Sequence, residues 1–356
     1  MGRVTKLSVK NFKSIRERVH VTFPDRGPLV IVGPNNVGKS NLVRALEIVL
    51  GESWPDSFQP EDHDFFSRDR TNTPLEITVE VEDVVHASKY GNIPIEAFLL
   101  RHSDGEEKPF CMIERNGSVN AFVSNTTREQ CRAILVTADR RLSYQLGYSS
   151  KYTFLSKLMK KFHEALTADP ARVGALKDTF EEIRATFEGI EEFSIFAEEL
   201  KKQTADFSKN WNYRLEVDFS AYDPSNYFRS LRVHPMQDGE VRTFEELGTG
   251  QELVLALSFA YAYAKAFHGQ AEGLVLIIEE PEAHLHPLAQ EWVGRKIQEL
   301  SGIEGIQVVI TTHSPAFLSV MNLEGLVVAR KENRATRVTQ LSRASAVSQI
   351  RPYKVT

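Results

Sequence analysis

Residues Gly33-Pro34-Asn35-Asn36-Val37-Gly38-Lys39-Ser40 fit the spacing G-x-x-x-x-G-K-[ST] in full. The chemistry of that spacing is phosphate binding. Its glycines let the backbone fold tightly, so that N–H groups converge on phosphate oxygens. The positive end of the following helix adds to that field. Lys39 is placed to reach the β- and γ-phosphates of a nucleotide, and Ser40 to give its hydroxyl to Mg2+. A glycine-rich turn that binds nothing has no need of the flanks found here. Leu29-Val30-Ile31-Val32 reads as a strand covered on both faces. Leu42, Ala45, Leu46, Val49 and Leu50 then recur at helical spacing until Gly51 stops them.

Three further groups point to the same phosphates. Leu274-Val275-Leu276-Ile277-Ile278 runs into Glu279-Glu280. An apolar strand that ends in acids at its carboxyl edge places them beside the phosphate loop of the neighbouring strand. Glu279 is assigned to Mg2+ through water, and Glu280 to the attacking water, as general base or as orienting group. The plainer reading of Glu279-Glu280-Pro281-Glu282 is an acidic turn, and it loses weight once a phosphate loop stands in the same chain. Thr311-Thr312-His313-Ser314-Pro315 follows the next apolar strand. A satisfied loop histidine is the ordinary reading of His313, but its place after that strand sets it to hydrogen-bond a γ-phosphate. Gly248, Thr249 and Gly250 precede an apolar helix at 253–266. Small residues at a helix start form an anion nest. With the phosphate loop occupied in its own subunit, this nest makes sense at the γ-phosphate of a second copy.

The elements that must position these residues follow from periodicity. Val4 to Val9 and Val19 to Phe23 alternate apolar and polar, as two antiparallel strands joined by Asn11-Phe12-Lys13-Ser14-Ile15. Residues 52–72 are polar and turn-rich and read as a surface loop. Residues 75–85 and 110–123 alternate as strands, with Asn116-Gly117 as a turn. From 151 to 207 the period becomes helical, through Phe154, Leu158, Phe162, Leu176, Phe180, Ile183 and Phe187, with breaks at Asp169-Pro170 and Gly189. Residues 213–233 return to strand-like alternation, and 247–330 reads helix, strand, helix, strand. The fold class is therefore α/β. Three parts of the chain follow: an N-terminal part, 1–150, a helical insert, 151–207, and a C-terminal part, 208–340, with a tail at 341–356.

Composition narrows the function classes. The 356 residues are 42% apolar and 26% charged with a net charge of −5, which is ordinary for a globular chain and gives no overall attraction to nucleic acid. Two cysteines, Cys111 and Cys131, make neither a disulfide framework nor a metal spacing, and read as reduced thiols of a cytoplasmic protein. The N-terminus has no secretory pattern, and no apolar run is long enough for a membrane span. His284 and His286 lack a third partner for a transition metal.

Phosphate loop, small-residue helix start, acidic pair and histidine, in this order, resemble the ABC ATPase superfamily, whose P-loop core carries an antiparallel β subdomain and a helical insert. Asn11-Phe12-Lys13-Ser14-Ile15 is similar to the branch of SMC, RecF-type and OLD (overcoming lysogenization defect) proteins. Ile278-Glu279-Glu280-Pro281-Glu282-Ala283-His284-Leu285-His286-Pro287 followed by Thr311-Thr312-His313-Ser314-Pro315 most resembles the ATPase half of OLD-family nucleases. The specific motifs cover about 3–50 and 240–330.

The resemblance implies that ATP is held by Gly33, Asn35, Asn36, Val37, Gly38, Lys39, Ser40 and Asn41, with Lys13 beside them. A facing subunit would cap it with Gly248, Thr249 and Gly250. It implies Ser40 and Glu279 as Mg2+ ligands and Lys39, Glu280 and His313 as the catalytic group. The residue that should sense Mg2+ and water after the phosphate-loop helix stays open among Gln59, Asp62 and Asp64.

The same resemblance implies a homodimer formed by ATP-dependent head pairing and by the insert, and a C-terminal Toprim nuclease domain under its control, in phage defence or DNA processing. No Toprim-type acidic constellation stands before Thr356. The chain is thus either an excised ATPase domain, to which Met1-Gly2 points as a cloning remnant, or a short relative. DNA remains a partner that Arg140-Arg141, Lys157, Lys160, Lys161 and Lys201-Lys202 could meet, although solvated helix faces explain them as well. The alternatives are an SMC- or RecF-like repair ATPase, for which the insert lacks long heptad arms, and a slow ATPase serving as an assembly scaffold.

Overall fold

The computed structural model describes residues 2–70, 73–89, 91–103, 109–136, 162–192, 194–196, 198–199, 202, 236–237, 239–241, 246, 249–266, 273–283, 285–320 and 325–341. They fall into two compact units, Met1–Ser143 with Pro235–Thr356, and Tyr144–His234. The strand reading at 213–233 and the helical pattern at 151–161 lie outside the described residues.

The first unit opens with β1 (Arg3–Lys10), β2 (Val19–Thr22) and β3 (Leu29–Val32), and β3 feeds α1 (Lys39–Leu50). Then come β4 (Leu75–Ser88), β5 (Gly91–His102), β6 (Phe110–Glu114), β7 (Val119–Asn120), α2 (Asn125–Glu129) and β8 (Cys131–Val136). The second unit contributes α3 (Pro170–Glu188). The chain returns through β9 (Met236–Gln237), β10 (Glu240–Val241), α4 (Thr249–Ala266), β11 (Gly273–Glu279) and α5 (Pro287–Leu300). It closes with β12 (Ile306–Thr312), α6 (Pro315–Val320), β13 (Leu326–Glu332) and β14 (Ala335–Gln340).

One six-stranded sheet runs β2-β1-β4-β5-β6-β7, antiparallel throughout. The other runs β14-β13-β3-β12-β11-β8, parallel except for β14 at its edge. This is the mixed α/β core with an antiparallel β subdomain that the motifs imply. The acids of β11 were expected beside the phosphate loop of an adjacent strand. Instead β12 lies between β3 and β11, so the histidine strand separates the loop from the acids.

Helix α1 is buried along most of its circumference, through Leu42, Val43, Ala45, Leu46, Ile48, Val49 and Leu50, and packs on both β8 and β4. Only a narrow polar stripe, Ser40, Arg44 and Glu47, is left at least partly uncovered, so the helix meets the core on a broad apolar face. Each such leucine contributes about 1.5–3 kcal/mol on burial. The helix ends at Gly51, and its last carbonyls find a donor from far along the chain. Arg128 of α2, 2% exposed, donates from Nη1 to Ser53 O at 2.6 Å and to Val49 O at 3.4 Å. Its guanidinium also lies 5.2 Å from the Trp54 ring centre. A buried cation at a helix C-terminus satisfies orphan carbonyls and opposes the negative end of the dipole.

Three local readings need correction. The stretch 52–72 is not merely a surface loop, because Pro55, Asp64 and Phe65 are buried and Trp54 and Phe58 pack against the core. Strand β5 was not anticipated: Pro94 interrupts its polar–apolar alternation, yet pairs with Val85. Residues 121–124 are not strand but lead into α2, whose N-cap Ser124 accepts from Thr127 N.

In the second unit, α3 begins at Pro170 with Asp169 before it, whose Oδ1 accepts from Ala171 N at 3.0 Å. Proline at the first helical position after an aspartate is a favoured start. Among the described residues no helix is long and apolar enough to cross a membrane. Burial pushes the thiol pKa of Cys131 up, so it stays protonated at the start of β8.

Arg128→Ala leaves the end of α1 without its donor. It is expected to destabilise the protein by about 2–4 kcal/mol, read as a fall in denaturation midpoint. An unchanged midpoint would remove Arg128 from this role.

Candidate active site at the strand ends

The chain leaves β3 at Val32 and turns through 33–38 into α1. Gly38 caps the helix at φ 103°, a conformation L side chains rarely adopt. A Cβ there would lie 2.2 Å from Thr336 Oγ1 and 2.7 Å from Ser14 Oγ. At Gly33 it would meet Ala329 O at 2.4 Å. The loop is therefore pressed against the β13–β14 hairpin, and both glycines are sterically required. Lys39, 5% exposed, curls back so that Nζ donates to Gly33 O at 2.9 Å and to Pro34 O at 3.1 Å. Its ammonium is held within the curve of the loop. Val37 is buried, whereas Asn35, Asn36 and Ser40 are exposed, with Asn36 at φ 63°.

A polar brace fixes the loop from behind. Thr336 Oγ1 donates to Val37 O at 2.8 Å, and its oxygen lies 2.6 Å from Ser14 Oγ. Thr336 N donates to Ser14 O at 2.7 Å, and Asn41 Nδ2 to Ser14 Oγ at 2.6 Å. The Asn11–Ile15 turn thereby joins phosphate loop, helix and C-terminal hairpin. Lys13, at φ 52°, donates its N–H to Asp64 O, and its ammonium is 3.0 Å from Asp64 Oδ1. Of the three sensor candidates, Asp64 is buried and tied to this turn. Asp62 pairs with Arg70 at 3.0 Å, and Gln59 donates to Asp56 O from an exposed position.

At the ends of β11 and β12 the acids and the histidine converge. Glu279 is the last residue of β11, half-buried, and is in register with Thr311. Glu280 turns out of the strand at φ 46°, anchored by its N–H to Thr311 O at 2.9 Å. A non-glycine residue in the left-handed region is strained, and such strain collects at functional sites. The turn aims Glu280 Oε1 to 4.0 Å from Lys39 Nζ and 3.9 Å from His313 Nδ1. Glu280 and His313 are each roughly half exposed, while Lys39 is buried. The site thus has a sealed cation under an accessible acid and imidazole.

Residues that the motif reading passed over hold these loops together. Glu282, 7% exposed, accepts from Thr312 Oγ1 and from His313 N, both at 2.8 Å. Gln290 Nε2 donates to Leu285 O at 3.0 Å, and Gln290 Oε1 accepts from Ser314 Oγ at 2.8 Å, bridging the loops after β11 and β12. Thr249 and Gly250 form the first turn of α4, and a Cβ on Gly250 would meet Leu285 Cδ2 at 2.7 Å. Gly248 and His284 lie outside the described residues. Among the described residues no group of three or more His, Cys, Asp or Glu is gathered for a metal ion.

A family profile described as an AAA ATPase domain matches residues 3–131 and 125–318. The OLD nuclease of Thermus scotoductus is 29% identical over 343 residues, 92% of this chain and 62% of the relative. The chromosome partition protein Smc of Koribacter versatilis is 46% identical over 52 residues, 15% of this chain and 4% of the relative. The chain thus spans less than two thirds of the length of these curated relatives. In fold it is similar to the Smc head domain of Pyrococcus furiosus, solved with an extended coiled coil and bound to the C-terminal domain of ScpA. That likeness has a TM-score of 0.53 at 18% identity and covers 100% of both chains. The expected likeness to the ATPase half of an OLD nuclease holds across most of the chain, whereas the sequence likeness to Smc is confined to a short segment.

Gly38→Ala would drive a methyl group into Thr336 and Ser14. It should weaken ATP binding at least about tenfold, for a strain of about 1–3 kcal/mol, in a titration with a fluorescent ATP analogue. Unaltered affinity would mean that the loop can bind without this packing.

Proposed function

The chain belongs to the AAA ATPase domain family, and from that premise we propose that it binds Mg-ATP across the ends of β3, β12 and β11 and hydrolyses it when a second copy closes over the γ-phosphate. The observation that carries this reading is the run Lys39 Nζ, Glu280 Oε1, His313 Nδ1, with separations of 4.0 and 3.9 Å. A phosphate-binding cation, a carboxylate and an imidazole at that spacing can serve one phosphoryl group.

In this reading the N–H groups of 33–40 and the Lys39 ammonium hold the β- and γ-phosphates. Ser40 and Glu279 would hold Mg2+. Their oxygen donors suit a hard cation that takes one or two protein ligands and completes its shell with phosphate and water. When bound, the ion supplies positive charge against the phosphate oxygens. Glu280 takes a proton from the attacking water as its oxygen bonds to phosphorus and the bond to the β-phosphate oxygen breaks. His313 hydrogen-bonds a γ-phosphate oxygen and steadies the charge that develops there.

Thr249 and Gly250, on the first turn of α4, would meet the γ-phosphate held by a second copy. Leu285, in the loop after β11, lies so near Gly250 that a Cβ there would clash with it, so closure at one site would bear on the acids of the other. The extended match to an OLD nuclease supports a further step. In a longer chain, ATP-dependent closure, aided by the 151–207 insert, would govern a C-terminal Toprim nuclease in phage defence or DNA processing. That match also favours this reading over an SMC-like repair ATPase.

The test is phosphate release from Mg-ATP, with plasmid nicking followed alongside. The wild-type chain should release phosphate without nicking DNA. Lys39→Ala should lose ATP binding. Glu280→Gln should bind ATP normally, turn over at least about 100-fold more slowly and accumulate pairs on size exclusion. A Glu280→Gln variant that hydrolyses at the wild-type rate removes Glu280 as base. Nicking by the wild-type chain would place nuclease chemistry in these residues.

A further inference from the structure

Glu282 is a buried carboxylate that the proposed mechanism does not use. One of its oxygens does most of the work in its surroundings. Oε1 accepts from Thr312 Oγ1 and His313 N, both at 2.8 Å, and lies 3.2 Å from His313 Nδ1. Oε2 is buried with no hydrogen-bond partner among the described residues. Tying the loop after β11 to the end of β12 does not by itself account for Glu282. That tie is in any case already made twice over, by Glu280 N to Thr311 O and by Gln290 to Leu285 and Ser314. What Glu282 adds is contact with the histidine: Oε1 accepts from its backbone N–H and lies 3.2 Å from its ring Nδ1.

We propose that Glu282 is a positioning residue for ATP hydrolysis, whose Oε1 accepts the Nδ1–H of His313 and so fixes the ring orientation and tautomer with which Nε2 meets the γ-phosphate. The proposal rests on the role given to His313 above. The physics is that of any histidine whose one nitrogen is fixed by an acceptor: the other is then committed in both direction and protonation. The fit is specific to this site. His313 is half-exposed and has a second carboxylate, Glu280, at 3.9 Å. Without Glu282 the ring is free to swing to Glu280 and take up the group that should face water. Holding Nδ1 at Glu282 keeps Glu280 available.

The test is steady-state ATP hydrolysis by the wild-type chain, Glu282→Ala, Glu282→Gln, Glu282→Asp, His313→Ala and the Glu282→Ala/His313→Ala double variant. Melting temperature and ATP affinity are measured on each. Glu282→Ala should lower kcat about 10- to 100-fold, as removal of an orienting partner does, with KM for ATP within about threefold. Glu282→Gln keeps an acceptor oxygen in place and should stay within about threefold of wild type. Glu282→Asp keeps the charge but withdraws the oxygen by one methylene, and should behave like Glu282→Ala; it also replaces that variant in the test if Glu282→Ala does not fold. The double variant should be no worse than about twofold below His313→Ala, because residues acting through one another are not additive. Wild-type kcat in Glu282→Ala, losses that multiply in the double variant, or Glu282→Asp outperforming Glu282→Gln would overturn the proposal and leave the role of His313 standing. If His313→Ala hydrolyses ATP at the wild-type rate, the role of His313 itself falls, and the positioning role of Glu282 falls with it.

Discussion

The register of β12 is the constraint on which the site depends. Thr311 is level with Ile31 of β3 on one side and with Glu279 of β11 on the other, and Thr312 is level with Val32. Parallel pairing therefore brings three chains to the same edge of the sheet at the same height, where one turns into the phosphate loop, one into the histidine loop and one into the acidic loop. A one-residue slip in any strand would turn its side chains to the opposite face. Val30, Val309, Ile310, Ile277 and Ile278 are buried to within about 1%, so these strands are closed on both faces, as central parallel strands are.

From that edge the rest of the architecture reads as support. The antiparallel sheet and β8 enclose α1, so that the helix bearing Lys39 cannot shift relative to β3. Arg128 finishes the far end of that helix, and Thr336 and Ser14 finish the near end. The C-terminal hairpin touches the phosphate loop directly, through Ala329 at Gly33 and Thr336 at Gly38. A change in the loop's curvature would therefore press on that hairpin.

The parts legible in the sequence are those whose local pattern has one physical solution. The phosphate loop needs its glycines and its lysine at fixed spacing, and an apolar run that ends in acids reads as a buried strand with the acids at its carboxyl edge. The breaks at Asp169-Pro170 and Gly189 were equally plain, since the structure ends helices on both sides of them. Strand order was not legible, because nothing in β11 alone says that β12 will insert beside it. Glu282 and Gln290 escaped notice because their meaning lies in a partner some thirty or twenty-four residues away, and an acidic turn looks the same with or without that partner. Arg128 reads as a surface residue until the end of α1 arrives over it. Lys13 and Asn41, which the resemblance sets beside the nucleotide, also bind Asp64 and Ser14, and that bracing role has no sign in the local sequence.

The most direct measurement is the structure of this chain crystallised with Mg2+ and ADP-vanadate, in which vanadate stands for the γ-phosphoryl group in transfer. The account predicts vanadate within hydrogen-bonding distance of both Lys39 Nζ and His313, with Glu280 facing its apical oxygen. Vanadate bound to the phosphate loop but out of reach of His313 and Glu280 would contradict the convergence of the three strand ends on one phosphate.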